Sequence, residues 1–160
     1  MKDGIPIAVG YFSVSFTFGM LAAKSGISPF HAVLISLMNL TSAGQFAGLT
    51  VIISGASLVE MALTQLVINI RYALMSISLS QKLDTSVKAG SRLLIAYGNT
   101  DEIFAVSMQR DHELTTAYMA GLILTPVLGW TGGTLVGAVA TSLMPPVLSN
   151  AFGIALYGMF

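Results

Sequence analysis

Apolar residues along this chain come in long runs, and the polar positions between them gather into short stretches. Residues 5–23 form an uncharged run of 19. At about 1.5 Å per residue this is enough to cross a hydrocarbon core of about 30 Å. The run is longer than the apolar core of a secretory signal, about 7–15 residues, and no A-x-A site follows, so it is read as a retained first span. Gly10, Ser13 and Thr17 share one helical face with Lys24 at the end of the stripe, the pattern of a close-packing surface. Residues 30–54 also lack formal charge, but Asn39, Thr41, Ser42, Gly44, Gln45 and Gly48 interrupt the middle of the run. Polar amides at that depth must face protein or water. Two readings stay open: an unwound, discontinuous or re-entrant segment, or a continuous helix whose Gly44 and Gly48 make a GxxxG contact.

Residues 56–79 predict a helix with two polar stripes. Glu60, Thr64, Arg71 and Ser78 lie on one, and Gln65, Asn69, Tyr72 and Ser76 on the other. Val59, Leu63, Leu66, Ile70, Leu74 and Ile77 fill the remaining arc and read as a lipid-facing surface. Glu60 and Arg71 lie about three turns apart and cannot pair along the helix. Residues 80–91 form the main hydrophilic loop, with Lys82, Asp84 and Lys88, and Arg92 closing it. The positive-inside rule makes that loop cytoplasmic, and Lys2 favours an inside N-terminus as well. Three plain crossings would contradict this pair of assignments. They agree if 30–54 enters and leaves by one face.

Residues 93–108 are too short to span and are broken by Asn99, Thr100, Asp101 and Glu102. Residues 115–144 predict one long helix, bent at Pro126, with Gly121, Thr125, Gly129, Gly133, Gly137 and Thr141 as a small-residue ridge. Trp130 within it reads as packing. Pro145 and Pro146 end this helix, and 147–160 reads as an unfinished span of a truncated chain. The fold class expected is therefore all-α: a single integral membrane domain over 1–160, a polytopic transmembrane helical bundle with one or two discontinuous or re-entrant segments.

Composition agrees. Hydrophobic residues make up 54% of the 160 and charged residues only 9%, against roughly a quarter charged in a soluble domain. The net charge is zero with no basic block, which disfavours nucleic acid. Without cysteine there is no disulfide or thiol chemistry. His31 and His112 lack metal-ligand spacing, and no HExxH, Walker A or GxSxG pattern occurs. No metal, cofactor or enzymatic activity is expected. The sequon at Asn39-Leu40-Thr41 lies within an apolar segment where no glycan can be attached.

Several segments carry a family resemblance. Ala43-Gly44-Gln45-Phe46-Ala47 is followed by Gly55-Ala56-Ser57 with Glu60, then Leu66-Val67-Ile68-Asn69-Ile70-Arg71-Tyr72. Later come Thr100-Asp101-Glu102 and Trp130 with Gly132-Gly133-Thr134 and Gly137. In order and spacing this resembles the AzlC-type branched-chain amino acid permeases, with Tyr72 where the family often has His. The resemblance implies a bacterial inner-membrane exporter of branched-chain and related hydrophobic amino acids, working with a small AzlD-type membrane subunit.

A free amino acid requires a counterpart for each of its parts. Arg71 can meet its carboxylate, since a guanidinium fork matches one. Asp101 and Glu102 can hold its ammonium or carry a coupling proton. Asn39, Thr41, Ser42, Gln45 and Asn69 can supply neutral hydrogen bonds. A permanent structural pair between Arg71 and Asp101 or Glu102 is the competing reading. A non-transporting scaffold subunit and an amino-acid channel are the alternative functions.

Overall fold

The computed structural model describes residues 2–141 and 143. The span expected at 147–160, and the two prolines before it, lie outside them. Seven helices account for the described chain: α1 Gly4–Lys24, α2 Pro29–Met38, α3 Ser42–Ile53, α4 Leu58–Lys82, α5 Ala89–Tyr97, α6 Asp101–Gln109 and α7 Thr116–Thr141. Three of them, α1, α4 and α7, are long and apolar enough to cross a membrane.

α1 and α7 form the central pair. A side chain at Gly129 would meet Ala8, one at Gly133 would meet Phe12 and Ser15, and one at Gly137 would meet Phe16. The contact advances together along both helices, so they run parallel. The small-residue ridge of α7 thus lies directly on the α1 backbone, where a Cβ would not fit. On α1 the matching face is Gly4, Ala8, Phe12, Phe16 and Gly19. Gly10 and Ser13, expected to pack, are exposed instead. The helix is unbroken across Pro126.

The segment 30–54 is not one helix. Asn39 and Thr41 are extended, and the chain turns back between α2 and α3. Gln45 of α3 donates to Ser36 of α2 at 2.5 Å, and Leu49 joins Ala32 in one cluster with Phe18, Ala22 and Ala138. Residues four before and four after the turn therefore stay side by side. α2 descends from the C-terminal end of α1 and α3 climbs back, which settles the sequence alternatives in favour of a re-entrant hairpin. The continuous-helix reading fails at the break between α2 and α3, while Gly44 and Gly48 do face another helix, lying against Gln65 and Met61 of α4.

α5 and α6 repeat the device from the opposite end. The 83–88 loop is tied to the start of α7 by Asp84 N–H donating to Leu114 O at 3.1 Å and Leu114 N–H to Lys82 O at 3.0 Å. α5 rises from there to Tyr97, whose hydroxyl donates to Leu37 O near the tip of the first hairpin. α6 starts beside Tyr11 of α1 and returns until Met108 O accepts from Lys82 Nζ at 2.8 Å. A spanning helix followed by a half-depth hairpin thus occurs twice in opposite orientation, an inverted repeat. Lys2 and the 83–88 loop consequently share one face, as Asp3 accepting from Tyr118 at the foot of α7 also shows. Lys82, Lys88, Arg92 and Arg110 lie on that face too, the one that the positive-inside rule predicts to be cytoplasmic.

Because the chain has no cysteine, single-cysteine labelling reads this topology directly. In intact cells an impermeant maleimide is expected to label Ser25→Cys and to miss Thr85→Cys until the membrane is opened; the reverse pattern would invert the orientation, and equal labelling would refute the parity. In a melting experiment Gly137→Val is expected to destabilise by about 1–3 kcal/mol or more through overpacking, whereas Gly132→Ala, with open space around it, should be neutral.

Candidate functional site

The tips of the two hairpins meet near the middle of the bundle, where a group of polar side chains gathers. At the first tip Thr41 caps α3, its hydroxyl accepting from Gly44 N–H at 3.4 Å. Asn39 Nδ2 donates to Gln65 Oε1 at 3.3 Å, Asn69 Nδ2 donates to the same oxygen at 3.0 Å, and Gln65 Nε2 donates to Gly44 O at 2.7 Å. The amide stripe of α4 therefore takes up backbone and side-chain groups freed where the first hairpin unwinds. At the second tip Asn99 Nδ2 donates to Ser76 Oγ of α4 at 3.2 Å, and Thr100 begins α6 in extended backbone.

Between the tips and α1 lies a cavity of about 410 Å³ whose walls include Ile7, Tyr11, Val14, Leu40, Tyr72 and Trp130, with Ser42, Thr100, Asp101 and Glu102 as its polar groups. Size and character match a small-molecule site: mostly apolar, with a few converging polar groups. The first residues of two half-helices, Ser42 of α3 and Asp101 of α6, open onto it. The Tyr11 hydroxyl bonds the Glu102 carboxylate and lies 2.5 Å from Thr100 Oγ1, and its ring packs edge-on against Trp130 with centroids 5.2 Å apart.

The residues singled out in the sequence divide by position. Ser42, Asp101 and Glu102 line the cavity. Asn39, Thr41 and Asn69 line a smaller chamber of about 210 Å³ on the far side of the tips. Gln45 lines neither. It is fully buried, accepting from Trp130 Nε1 at 2.9 Å and donating to Ser36, which in turn bonds Thr134 at 2.6 Å. That chain bolts the first hairpin to α7 and occupies both ends of the glutamine. Arg71 pairs with Asp101 at 2.8 Å, their side chains 50% and 44% exposed, and its guanidinium lies 5.2 Å from the Tyr72 ring centroid. In this state the partner of Arg71 is Asp101, the arrangement expected of a structural lock.

The sequence does not mark Tyr11, Gln65, Tyr97 or Asn99 as site residues. Gln65 belonged to a polar stripe and Asn99 to the broken segment, so both carried a signal. Tyr11 and Tyr97 carried none: each acts on an element distant in sequence. Trp130 packs as expected, and its face also forms cavity wall.

If the ion pair is a lock, Arg71→Ala and Asp101→Ala should each lower stability more than the double variant does. A coupling of about 1 kcal/mol or more is expected from the double-mutant cycle, and additive losses would dissolve the pair.

Comparison with known proteins supplies the remaining context. The chain is 30% identical over 166 residues to the "Inner membrane protein YgaZ" of Escherichia coli K12, covering 99% of this chain and 68% of that protein. It is 35% identical over 139 residues to an "Uncharacterized membrane protein" of Archaeoglobus fulgidus, 87% of this chain and 60% of the relative. A Helicobacter pylori J99 protein with the same description is 31% identical, with 88% and 64% covered. The chain thus spans roughly two thirds of the length of these relatives. No solved structure matches it. The AzlC protein family matches residues 6–144, and the chain accordingly belongs to the AzlC family of membrane proteins.

Proposed function

We propose that the chain forms the core of a transporter that exports branched-chain or related hydrophobic amino acids across a bacterial inner membrane, together with a small AzlD-type subunit. The observation that carries this reading is the cavity at the meeting point of the two half-helix hairpins. Broken helices that unwind at mid-depth are how transporters place polar backbone and side chains where a bilayer otherwise forbids them. The walls at Ile7, Val14, Leu40 and Trp130 suit a branched aliphatic side chain. Glu102, held by Tyr11, is the acceptor for the cargo ammonium. The N-terminal ends of α3 and α6 supply partial positive charge for its carboxylate. Arg71 neutralises Asp101 beside this site, so that one carboxylate, Glu102, remains for the ammonium. Opposed hairpins also provide the two gates that alternating access requires, one toward each face.

Efflux of labelled valine, leucine and isoleucine from preloaded cells tests the reading, with full-length protein expressed with and without its small partner. Saturable efflux that needs both chains and is competed by related amino acids, but not by lysine or glutamate, is expected. Glu102→Gln and Arg71→Ala should each reduce it by at least tenfold with the protein still inserted. Normal efflux in Arg71→Ala would remove that residue from the site. No efflux from well-inserted protein would favour a scaffold subunit, and non-saturable flux a channel.

A further inference from the structure

α4 carries two polar stripes, and the described chain covers only one of them. Gln65, Asn69, Tyr72 and Ser76 reach the hairpin tips or line the cavity. The other stripe, Glu60, Thr64 and Arg71 with Val67 between, turns outward: Glu60 and Val67 are exposed and Thr64 is half-buried. The paired side chains of Arg71 and Asp101 are still 50% and 44% exposed, and Glu102 next to Asp101 is exposed too. Charged groups at bilayer depth face protein or water, not hydrocarbon. Pro6 and Gly10 of α1, which line the cavity together with Asp101 and Glu102, are exposed as well, and a Cβ at Gly10 would meet open space. This side of the bundle therefore requires a cover other than lipid.

The sequence contains a segment of the right direction, length and chemistry. α7 runs parallel to α1 and ends on the face opposite Lys2, the face at which α4 begins. Residues following α7 thus set out from the same face as α4. Pro145 and Pro146 break the helical pattern, and 147–160 is uncharged and apolar except at Ser149, Asn150 and Tyr157. Asn150 and Tyr157 are seven residues apart, two helical turns, and so are Thr64 and Arg71. A helix parallel to α4 can therefore match both pairs at once, with Gly153 on the same face. At about 1.5 Å per residue Tyr157 would lie roughly 15 Å deeper than Val147, half of a core of about 30 Å. That is the depth of Arg71. Residues 142–146 can bridge up to about 17 Å, close to two interhelical spacings of about 8–10 Å.

We propose that residues 147–160 lie as a half-depth helix along the outer polar stripe of α4, with Asn150 beside Thr64 and Tyr157 beside the Arg71–Asp101 pair. A phenol hydroxyl can donate to Asp101 and accept from a neighbouring donor, so it shields the pair from lipid without breaking it. Val67 and Leu74, both exposed on this side of α4, offer contact to the apolar side chains of the segment. The same helix closes the side of the cavity at Asp101 and Glu102. This packing does not depend on what the cavity carries.

The test uses the full-length protein in cell membranes, with a photoactivatable benzophenone amino acid at Val67 or at Leu66. Leu66 is equally exposed to the surroundings of α4 but belongs to its apolar arc. The Val67 probe is expected to join the same chain, and proteolysis with mass spectrometry to place the adduct within 147–160. The Leu66 probe is expected to join lipid alone. A lipid adduct from Val67 overturns the proposal. So does an adduct to a second polypeptide, whether another copy or a different protein, and so does the lack of any adduct in inserted protein, which marks an aqueous opening. Disulfide formation reads the register, since these residues include no cysteine. With Thr64→Cys fixed and a second cysteine moved between residues 148 and 152, cross-linking should peak at Asn150→Cys, severalfold above either neighbour. An even profile, or none, overturns the proposal, and this second measurement stands should the bulky probe prevent insertion. Neither experiment reads flux, so this packing and the cargo assignment fail separately.

Discussion

Every peptide N–H and C=O at bilayer depth must find its partner inside the protein, and the two hairpin tips are where this demand is hardest to meet. Four helix ends, two at each tip, would otherwise present unpaired groups there. The remedies are local and specific. Thr41 caps Gly44 N–H, Gln65 takes Gly44 O, and Tyr97 takes Leu37 O. Each donor or acceptor comes from a different element, so satisfying the tips fixes α4 and both hairpins relative to one another. The groups needed to keep the tips folded are the same kind of groups that bind a polar cargo, and the cavity follows from the break.

The tips require a rigid frame, which α1 and α7 supply. Lipid offers no hydrophobic drive to bring two apolar helices together, so close packing must do it. Glycines every fourth residue on α7 let the α1 backbone approach to contact distance. The Gln45–Trp130 and Ser36–Thr134 bonds then hang the first hairpin on that frame. α4 lies outside it, with Leu79 its only buried residue among those described, and holds on chiefly through its polar stripe and the Arg71–Asp101 pair.

The inverted repeat also explains the charge pattern. Two hairpins that enter from opposite faces each restore the chain to the face it left. The chain therefore crosses twice, by α1 and α4, before the 83–88 loop, which lies on the side of Lys2, and a third time by α7. Most positive residues lie on that face, with Lys24 on the other, while Arg71 remains at mid-depth, where only a carboxylate partner makes a guanidinium tolerable.

By itself the sequence determined the helical membrane class, the three long spans, the weak points within 39–48 and at 99–102, and the family. These are written in composition and local pattern: apolar length, small-residue periodicity, polar residues that compete with the helix backbone. It also brought out Arg71, Asp101 and Glu102, because charges in such a context are conspicuous. It left open whether 30–54 crosses or returns, and whether Arg71 faces cargo or Asp101. A break in a helix does not say in which direction the next half-helix runs; that is decided by what each half packs against, here Ala32 and Leu49 meeting against Phe18 and Ala138. The roles of Tyr11, Tyr97 and Trp130 were likewise settled only by contacts 60 to 91 residues apart, which no local pattern encodes.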